Sequence, residues 1–430
     1  MRTALPSALS PSIDARLAET DRLLATAYPG DDGSRQPVHT VYVPGDAITP
    51  DLPAVWGSAA LAAAASAGGV EALARAVGIP PDISAVVAPR VEHKLEREPV
   101  EDLRIDFEDG YGDRGDDVED ADVVRAAEHV AAAIDAGTAT PFVGIRFKSF
   151  EAATRARGIR TLDLFVTALV DRGGLPDGLA LTLPKVSTVE QVEAMADVAA
   201  ALERAHGLPD GRLRFEVQVE TPQLVLGPEG VAPVARIPHA ARGRAAGLHF
   251  GTYDYTAALG IAAPHQSLEH PAADHAKQVM QLAVAGTGVR LSDGSSNVLP
   301  IGDRADEAWR LHARLVRRSL ERGFPQGWDL HPAQLPTRFI ATYAYYRDGW
   351  AEASARLRHV HDRTAGAVLD EPATVRALAG FVLRGVQCGA ITPDEVEAAT
   401  GLDAPSLAAH ASPRRTTSGP GRPATDEENP

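Results

Sequence analysis

Two acidic residues stand where apolar runs end. Glu220 follows the run FEVQV, and Asp254 lies a few residues after the run AAGLHF. If these runs are consecutive parallel strands, their carboxyl ends are neighbours. Two carboxylates without a histidine or cysteine partner suit a hard cation, so we predict that Glu220 and Asp254 bind Mg²⁺, or alternatively Mn²⁺. The alternative is structural: Glu220 caps the following turn and Asp254 caps a helix that begins at Tyr255.

A second acidic group lies in the segment LRIDFEDG, where a strand would pass into a loop. It contains Asp106, Glu108 and Asp109. We interpret Glu108 and Asp109 as functional, either as acceptors of hydrogen bonds from metal-bound water or as a catalytic base. The acidic residues that continue the run over positions 113–120 we interpret as a solvated loop.

Two basic residues also stand at strand ends. Arg146 ends the apolar run FVGI, and a buried guanidinium needs an anion that matches its fork. We expect Arg146 to pair with a strand-end carboxylate and with the substrate, whose enolate it would stabilise. Lys185 follows LTLP and either neutralises the acidic rim or forms a Schiff base with a carbonyl substrate. Neighbouring carboxylates would raise the pKa of Lys185, which favours the neutralising role.

Two further residues are candidate substrate contacts beside Arg146. Gly251 opens the motif GTYD, and His331 lies in WDLHPAQ. A lone histidine is more often structural, and the same interpretation applies to His39 and His249. The remaining histidines lack the spacing of metal ligands on one helix face.

Short β-branched runs alternate with alanine-rich helical patterns between the two ends of the chain. Seven runs are clear strand candidates, SAVVAP from Ser84 is another, and a weaker one lies near positions 288–291. The clear runs begin at His39, Leu103, Phe142, Leu179, Leu213, Ala245 and Gly327. Strand–helix–strand alternation indicates parallel strands with crossover helices. Seven to nine such strands predict an α/β fold with a closed (β/α)₈ TIM barrel, and an open doubly wound sheet is the alternative.

The chain divides into four predicted parts. Residues 1–15 are an N-terminal flexible segment, and residues 16–335 form the TIM-barrel catalytic domain. Residues 336–409 form a C-terminal helical extension, and its aromatic cluster is interpreted as core or subunit interface. Residues 410–430, which are rich in Pro, Gly, Ser, Thr and charge, are a disordered tail.

Composition excludes several classes of function. The chain has 430 residues with 42 Lys and Arg against 58 Asp and Glu, a net charge of −16. Such an acidic chain would repel nucleic acid. One cysteine, Cys388, cannot form an intrachain disulfide, and no signal peptide or membrane span is evident. We therefore expect a cytoplasmic protein with no nucleic-acid or membrane partner.

The order of the motifs resembles a known superfamily. VPGD, DFEDG, IRF, LPK, VQVET, GTYD and DLHPAQ occur in the order seen in the HpcH/HpaI aldolase and citrate lyase beta-subunit superfamily, over about residues 39–335. DFED, LPK, VET and GTYDY also resemble malate synthase barrels. The resemblance implies a phosphoenolpyruvate/pyruvate-type TIM barrel that binds Mg²⁺ through Glu220 and Asp254. It places the family's substrate-binding arginine at Arg146 and its acidic pair at Glu108 and Asp109.

The resemblance also implies an activity. We expect a Mg²⁺-dependent carbon–carbon lyase that acts through the enolate of a 2-oxo acid or an acyl-CoA thioester, in a homo-oligomer, trimer or hexamer, built through the C-terminal helices. Four alternatives stay open: a malate-synthase-like condensation, a thioesterase on the same site, a Schiff-base aldolase using Lys185, and a non-catalytic metabolite-binding barrel.

Overall fold

Eight parallel strands close into a barrel in chain order, with the last strand pairing with the first. The computed structural model describes residues 4–362 and 371–412. The strands are β1 (His39–Pro44), β2 (Asp102–Asp106), β3 (Phe142–Arg146), β4 (Leu179–Leu183), β5 (Phe215–Val219), β6 (Ala245–Phe250), β7 (Arg290–Ser295) and β8 (Gln326–Asp329). The predicted (β/α)₈ TIM barrel is confirmed, and the weak candidate near positions 288–291 overlaps β7.

Helices connect the strands and extend the barrel at both ends of the chain. They are α1 (Leu9–Ala27), α2 (Leu52–Ser66), α3 (Val70–Ala76), α4 (Pro81–Arg97), α5 (Asp116–Asp135), α6 (Arg155–Asp171), α7 (Val189–His206), α8 (Pro222–Val225), α9 (Ile237–Ala240), α10 (Thr252–Ala258), α11 (Pro271–Val284), α12 (Ala305–Glu321), α13 (Leu335–Asp362), α14 (Pro372–Cys388), α15 (Pro393–Thr400) and α16 (Ala404–Ala411). No single described helix is long and apolar enough to cross a membrane, and the bent pair α2–α3 reaches that length and composition only when its two parts are added together.

One strand prediction is wrong. The run SAVVAP lies inside α4, which begins at Pro81 and continues through Pro89 to Arg97. Its buried residues include Val87 and Val91, which are four positions apart and therefore lie on one helix face. A short β-branched run is compatible with either a strand or a buried helix segment, and here the proline at the helix start favours the helix.

The predicted C-terminal extension consists of α13 to α16, and it packs on its own chain. Helix α13 contacts α4, α12, α14 and α15. In the aromatic cluster, Phe339, Tyr343 and Tyr346 are buried, whereas Tyr345 and Trp350 are partly buried against the same core. The cluster therefore belongs to the core of this chain.

The structure describes part of each predicted terminal segment. Helix α1 begins at Leu9, within the stretch 1–15 that the sequence predicts to be flexible. Of the predicted tail, positions 410–411 end α16, and positions 413–430 lie outside the described residues.

The barrel interior is polar rather than purely apolar. Arg104, which is fully buried, donates to Asp102 at 2.7 Å and to Glu216 at 3.1 Å. Although burial opposes ionisation, the charge of Arg104 helps to lower the pKa of Glu216 to about 2. His249 Nε2 lies 3.0 Å from Glu216, and the Trp328 indole donates to His249 Nδ1 at 3.2 Å. These contacts tie β2, β5, β6 and β8 together across the barrel.

A glycine in β3 makes room for the buried guanidinium. A Cβ added at Gly144 would lie 1.9 Å from Arg104 NH1 and 1.7 Å from the carbonyl oxygen of Ala180. That carbonyl itself accepts a hydrogen bond from Arg104 at 2.7 Å. The missing side chain at Gly144 is therefore a requirement of the polar barrel core.

We expect Gly144→Ala to destabilise the fold by at least about 3 kcal/mol, because both clashing groups are buried and hydrogen-bonded. Urea unfolding would measure the change in the free energy of unfolding. The matched control is Gly380→Ala in α14, where an added Cβ meets nothing within 4 Å. The control should be neutral or stabilising by about 0.5–1 kcal/mol. Equal stability of the two variants would contradict the requirement at Gly144.

Candidate functional site

The predicted site residues, except His331, converge at the carboxyl ends of β2 to β6. Asp106 and Arg146 are the last residues of β2 and β3, and the strand register sets them side by side. On β5 and β6, Val219 is paired with Phe250 just before the two predicted metal ligands. The carboxyl-terminal face of a barrel is where parallel strands present side chains to a common pocket.

Asp106 holds Arg146 through both of its carboxylate oxygens. Arg146 Nε donates to one oxygen at 2.7 Å, and Arg146 NH2 donates to the other at 2.6 Å. The remaining nitrogen, NH1, lies 3.4 Å from Glu108. The predicted protein partner of Arg146 is therefore Asp106, and in this structure the fork that a substrate carboxylate would need is already occupied.

Lys185 bridges the two carboxylates of the DFED segment. Its amino group donates to Glu108 and, at 2.7 Å, to Asp109. Burial opposes the charged form of Lys185, but the charge of Glu108 and the hydrogen bonds to both carboxylates raise its pKa above the ordinary value. The amine is therefore held protonated, as expected for the neutralising role.

The backbone of Lys185 has a second role. Its φ is 51°, in the left-handed region that residues with a side chain rarely adopt. In this conformation the Lys185 N–H donates to Glu220 Oε1 at 2.6 Å. One residue at the end of β4 therefore positions Glu220 through its backbone and Glu108 with Asp109 through its side chain.

Glu220 is buried and lies close to other acids. Burial, followed by the charges of Asp254 and Glu108, raises the pKa of Glu220 to about 8. A Cβ added at Gly251 would lie 2.4 Å from Glu220 Oε2, so the glycine lets this carboxylate lie against the next strand end. Gly251, which we predicted as a substrate contact, is thus in direct contact with Glu220.

Neither structural alternative for the two predicted metal ligands is observed. The carboxylate of Glu220 accepts from the backbone of Lys185, and the following helix α8 has Thr221, not Glu220, as its N-cap residue. Asp254 is the third residue of α10, which begins at Thr252, so it is not the cap of a helix beginning at Tyr255. Asp254 is exposed at the barrel mouth, whereas Glu220 is 3% exposed.

The site carries an excess of negative charge. It brings together five carboxylates and two cations, namely Asp106, Glu108, Asp109, Glu220 and Asp254 with Arg146 and Lys185. Within residues 4–362 and 371–412, no three His, Cys, Asp or Glu side chains are grouped as a complete metal cluster. Mg²⁺ commonly takes only one or two carboxylates and completes its shell with water and substrate. The donor set and the raised pKa of Glu220 therefore fit a hard cation.

His331 follows a different strand from the residues of the acidic group. It follows β8, and its Nδ1 accepts the backbone N–H of Ala333 at 3.1 Å. Burial lowers the pKa of His331. In the described ranges no hydrogen bond or ion pair joins His331 to the acidic group, so its predicted substrate contact stays a prediction.

Some site residues were not predicted from the sequence. Tyr42 of β1 packs its ring 4.8 Å from the guanidinium carbon of Arg146, and its hydroxyl accepts from Gln218 at 3.2 Å. The sequence does contain a signal for polar residues inside the barrel, namely polar residues at alternate positions within a strand. Asp102, Arg104 and Asp106 are two positions apart in β2, which places all three side chains on one face.

The family of the chain follows from a sequence comparison. A protein-family profile, described as a domain of unknown function (DUF6986), matches residues 17–415. The chain belongs to the DUF6986 family. A search of curated protein sequences found no significant match to it.

Solved structures are similar to this DUF6986 chain. A citrate lyase from Burkholderia xenovorans LB400 is 22% identical, covers 72% of this chain and 91% of its own, and superposes with a TM-score of 0.53. CitE from Mycobacterium tuberculosis, in complex with magnesium, acetoacetate and coenzyme A, is 17% identical over 83% and 99% of the two chains, with a TM-score of 0.47. Haloferax volcanii malate synthase, in a lead(II) complex, is 18% identical over 71% and 72%, with a TM-score of 0.46. The citrate lyase confirms the resemblance at the level of fold.

Replacing Glu220 with glutamine should stabilise the metal-free DUF6986 chain at alkaline pH. Because its pKa is raised from 4.5 to about 8, the folded wild-type chain holds a proton that the unfolded chain releases, and stability is lost as the pH rises through that range. Glutamine keeps the oxygen that accepts from Lys185 but carries no charge. We expect a gain on the order of 4 kcal/mol at pH 8 that fades towards pH 4.5.

Urea unfolding in EDTA at several pH values would measure this gain. Asp303→Asn, which removes an exposed carboxylate from the loop after β7, is the matched control and should show no such pH dependence. If Glu220→Gln changes the free energy of unfolding by the same amount at pH 5 and pH 8, the raised pKa of the buried Glu220 carboxylate is contradicted.

Proposed function

We propose that this DUF6986 chain is a Mg²⁺-dependent carbon–carbon lyase that acts on a 2-oxo acid or an acyl thioester through an enolate. The observation that carries the proposal is the buried carboxylate of Glu220, with Asp254 on α10 just after the adjoining strand β6, in a group of five acids and two bases. A buried excess of carboxylates is costly unless a cation shares the space. The motif resemblance supplies the reaction class.

Glu220 and Asp254 are the residues that would hold the metal. When bound, Mg²⁺ would supply a Lewis acid that orients substrate oxygens and offsets the negative charge of an enolate. Glu220 is already held in place by the Lys185 N–H, so its direction is fixed before any ligand arrives. Asp254, which is exposed on α10, would complete the pair from the solvent side.

Arg146 would stabilise negative charge that develops on the substrate. It is 8% exposed, and Asp106 fixes its orientation through two hydrogen bonds. A guanidinium held in this way needs no reorientation during the reaction, which is the condition for strong electrostatic stabilisation. Only NH1 is free of Asp106, so we propose that Arg146 acts on the reacting oxygen rather than as a bidentate anchor of a substrate carboxylate.

Glu108 is the carboxylate best suited to move a proton. Burial is the main cause that raises the pKa of Glu108. At Asp109 burial acts in the same direction, but hydrogen bonding from Lys185 outweighs it and lowers the pKa. In the cleavage direction Glu108 would take the proton of the substrate hydroxyl as the carbon–carbon bond breaks. The bonding electrons would remain on the enolate, and Glu108 would return the proton to its carbon.

Removing either proposed ligand should weaken metal binding and abolish turnover. We expect Glu220→Ala and Asp254→Asn to weaken Mg²⁺ binding in calorimetry by at least about 10-fold, since each removes one of two charged ligands. Turnover would be followed by carbonyl release over a panel of 2-oxo acids and hydroxyacyl thioesters with added Mg²⁺. Asp303→Asn should leave both readouts unchanged.

The screen also separates the competing functions. Metal-dependent ligand binding without turnover on any substrate would favour the non-catalytic metabolite-binding barrel. Release of free coenzyme A without carbon–carbon cleavage would favour the thioesterase. Full activity of Glu220→Ala would contradict the proposed mechanism.

The Schiff-base alternative is disfavoured by the contacts of Lys185. A nucleophilic amine must be neutral, but the two carboxylates keep this one charged. We expect borohydride with a keto acid to add no mass to Lys185, and EDTA to abolish turnover. Lys185→Gly should lower turnover by at least about 10-fold and preserve the fold, because glycine accepts the left-handed backbone.

A second variant makes this test specific. Lys185→Ala removes the same amino group but keeps the backbone strain, so it should be less stable than Lys185→Gly by about 1 kcal/mol. Trapping of a covalent adduct on Lys185, with activity that survives EDTA, would instead establish the metal-free aldolase.

A further inference from the structure

Helix α1 is the one long helix among the described residues without a buried residue, and only its last turn, with Leu23, Thr26 and Ala27, lines a cavity against the barrel. None of its 19 residues is buried. Leu9, Ile13, Leu17 and Leu24 are 41%, 42%, 44% and 53% exposed. Most of the stability of helices in proteins comes from packing an apolar face rather than from helix propensity. Helix α1 therefore presents a face that the described parts of the chain leave uncovered.

The uncovered face has the spacing of a coiled-coil seam. Ile13, Leu17, Thr20 and Leu24, all of them exposed, alternate at intervals of four and three positions along α1. In a heptad they occupy the d and a positions that face a partner helix. Leu9 and Leu23 lie beside the seam at g positions and widen it. This spacing fits a second helix of the same kind.

The charges on α1 favour a second copy over a membrane surface. The helix carries three acids, Asp14, Glu19 and Asp21, against two arginines, Arg16 and Arg22. A helix that lies on a membrane is typically rich in Lys and Arg on its polar face. The seam, in contrast, is self-complementary, as a two-fold contact between identical chains requires.

The same charges select the direction of the pair. In a parallel pair a g residue faces the e residue five positions later on the partner, which sets Arg16 opposite Asp21 on both sides of the seam. In an antiparallel pair an e residue faces an e residue of the partner. Asp14 then lies opposite Asp21, and the two negative charges repel each other. From the uncovered seam and this charge pattern, we propose that α1 pairs in parallel with α1 of a second copy and joins two barrels into a dimer. The proposal is independent of the enzymatic activity.

Charge exchange across the seam tests the proposal with the full-length protein. Sedimentation velocity over a range of concentrations should show a dimer for the wild-type chain. Arg16→Glu and Asp21→Arg should each weaken the dimer at least 10-fold, because each places like charges at both contacts. An equimolar mixture of the two variants should restore the dimer, because opposite charges then meet at both contacts.

A matched control keeps the test specific. Arg22→Glu makes the same charge change as Arg16→Glu at an outward f position, and it should leave assembly unchanged. Circular dichroism would verify that each variant keeps its fold, as expected for exposed positions. Leu17→Asp, at the centre of the seam, should give a monomer.

Three results would overturn the proposal. If the wild-type chain sediments as a monomer at every concentration, α1 is covered by other parts of its own chain or by nothing. A dimer unaffected by Leu17→Asp would place the interface elsewhere. A dimer strengthened by Asp21→Arg would indicate the antiparallel pair, since the new arginine would then face Asp14.

Discussion

A buried carboxylate that shares its surroundings with other acids is the constraint on which this site depends. Glu220 has one firm partner among the described residues, the backbone N–H of Lys185, and the nearby charges of Asp254 and Glu108 oppose its ionisation. Structures selected for stability alone avoid this arrangement, because burying charge without a counter-charge is expensive. The barrel tolerates the cost at its carboxyl-terminal face, where a bound cation would offset it. The balance of charge is therefore a stronger argument for function here than any single residue.

Beneath the site, the polar barrel core explains why the charged groups keep their positions. Arg104 joins β2 to β5, while Tyr42 packs under Arg146 and receives a hydrogen bond from Gln218. Buried polar networks that are largely satisfied fix a single arrangement, because each member loses a partner if another moves. The site consequently rests on a rigid layer, and a reacting group at the mouth would meet donors that are already oriented. Catalysis by electrostatic stabilisation needs this kind of preorganisation.

Much of this architecture could be predicted from the sequence, and the reasons for the failures are physical. Seven strands were visible as β-branched runs, and their terminal acids and bases lie together because parallel strands share one carboxyl-terminal face. The run SAVVAP was misassigned because periodicity cannot separate a short strand from a buried helix segment. The partner of Arg146 could not be chosen, since Asp106 and Glu108 both lie within reach. The interior network was missed because buried parallel strands are expected to be apolar, although Asp102 and Arg104 already alternated with Leu103.

The conformation of Lys185 links the fold to the chemistry most directly. Its left-handed backbone is unfavourable by about 1–2 kcal/mol for a residue with a side chain, and a glycine would remove that cost. A glycine could still donate its N–H to Glu220, so the strain is not needed to hold the buried carboxylate. What a glycine lacks is the amino group that joins Glu108 to Asp109. The strained position is therefore best explained by the two roles together, since the lysine orients one carboxylate with its backbone and two with its side chain, and a glycine could do only the first.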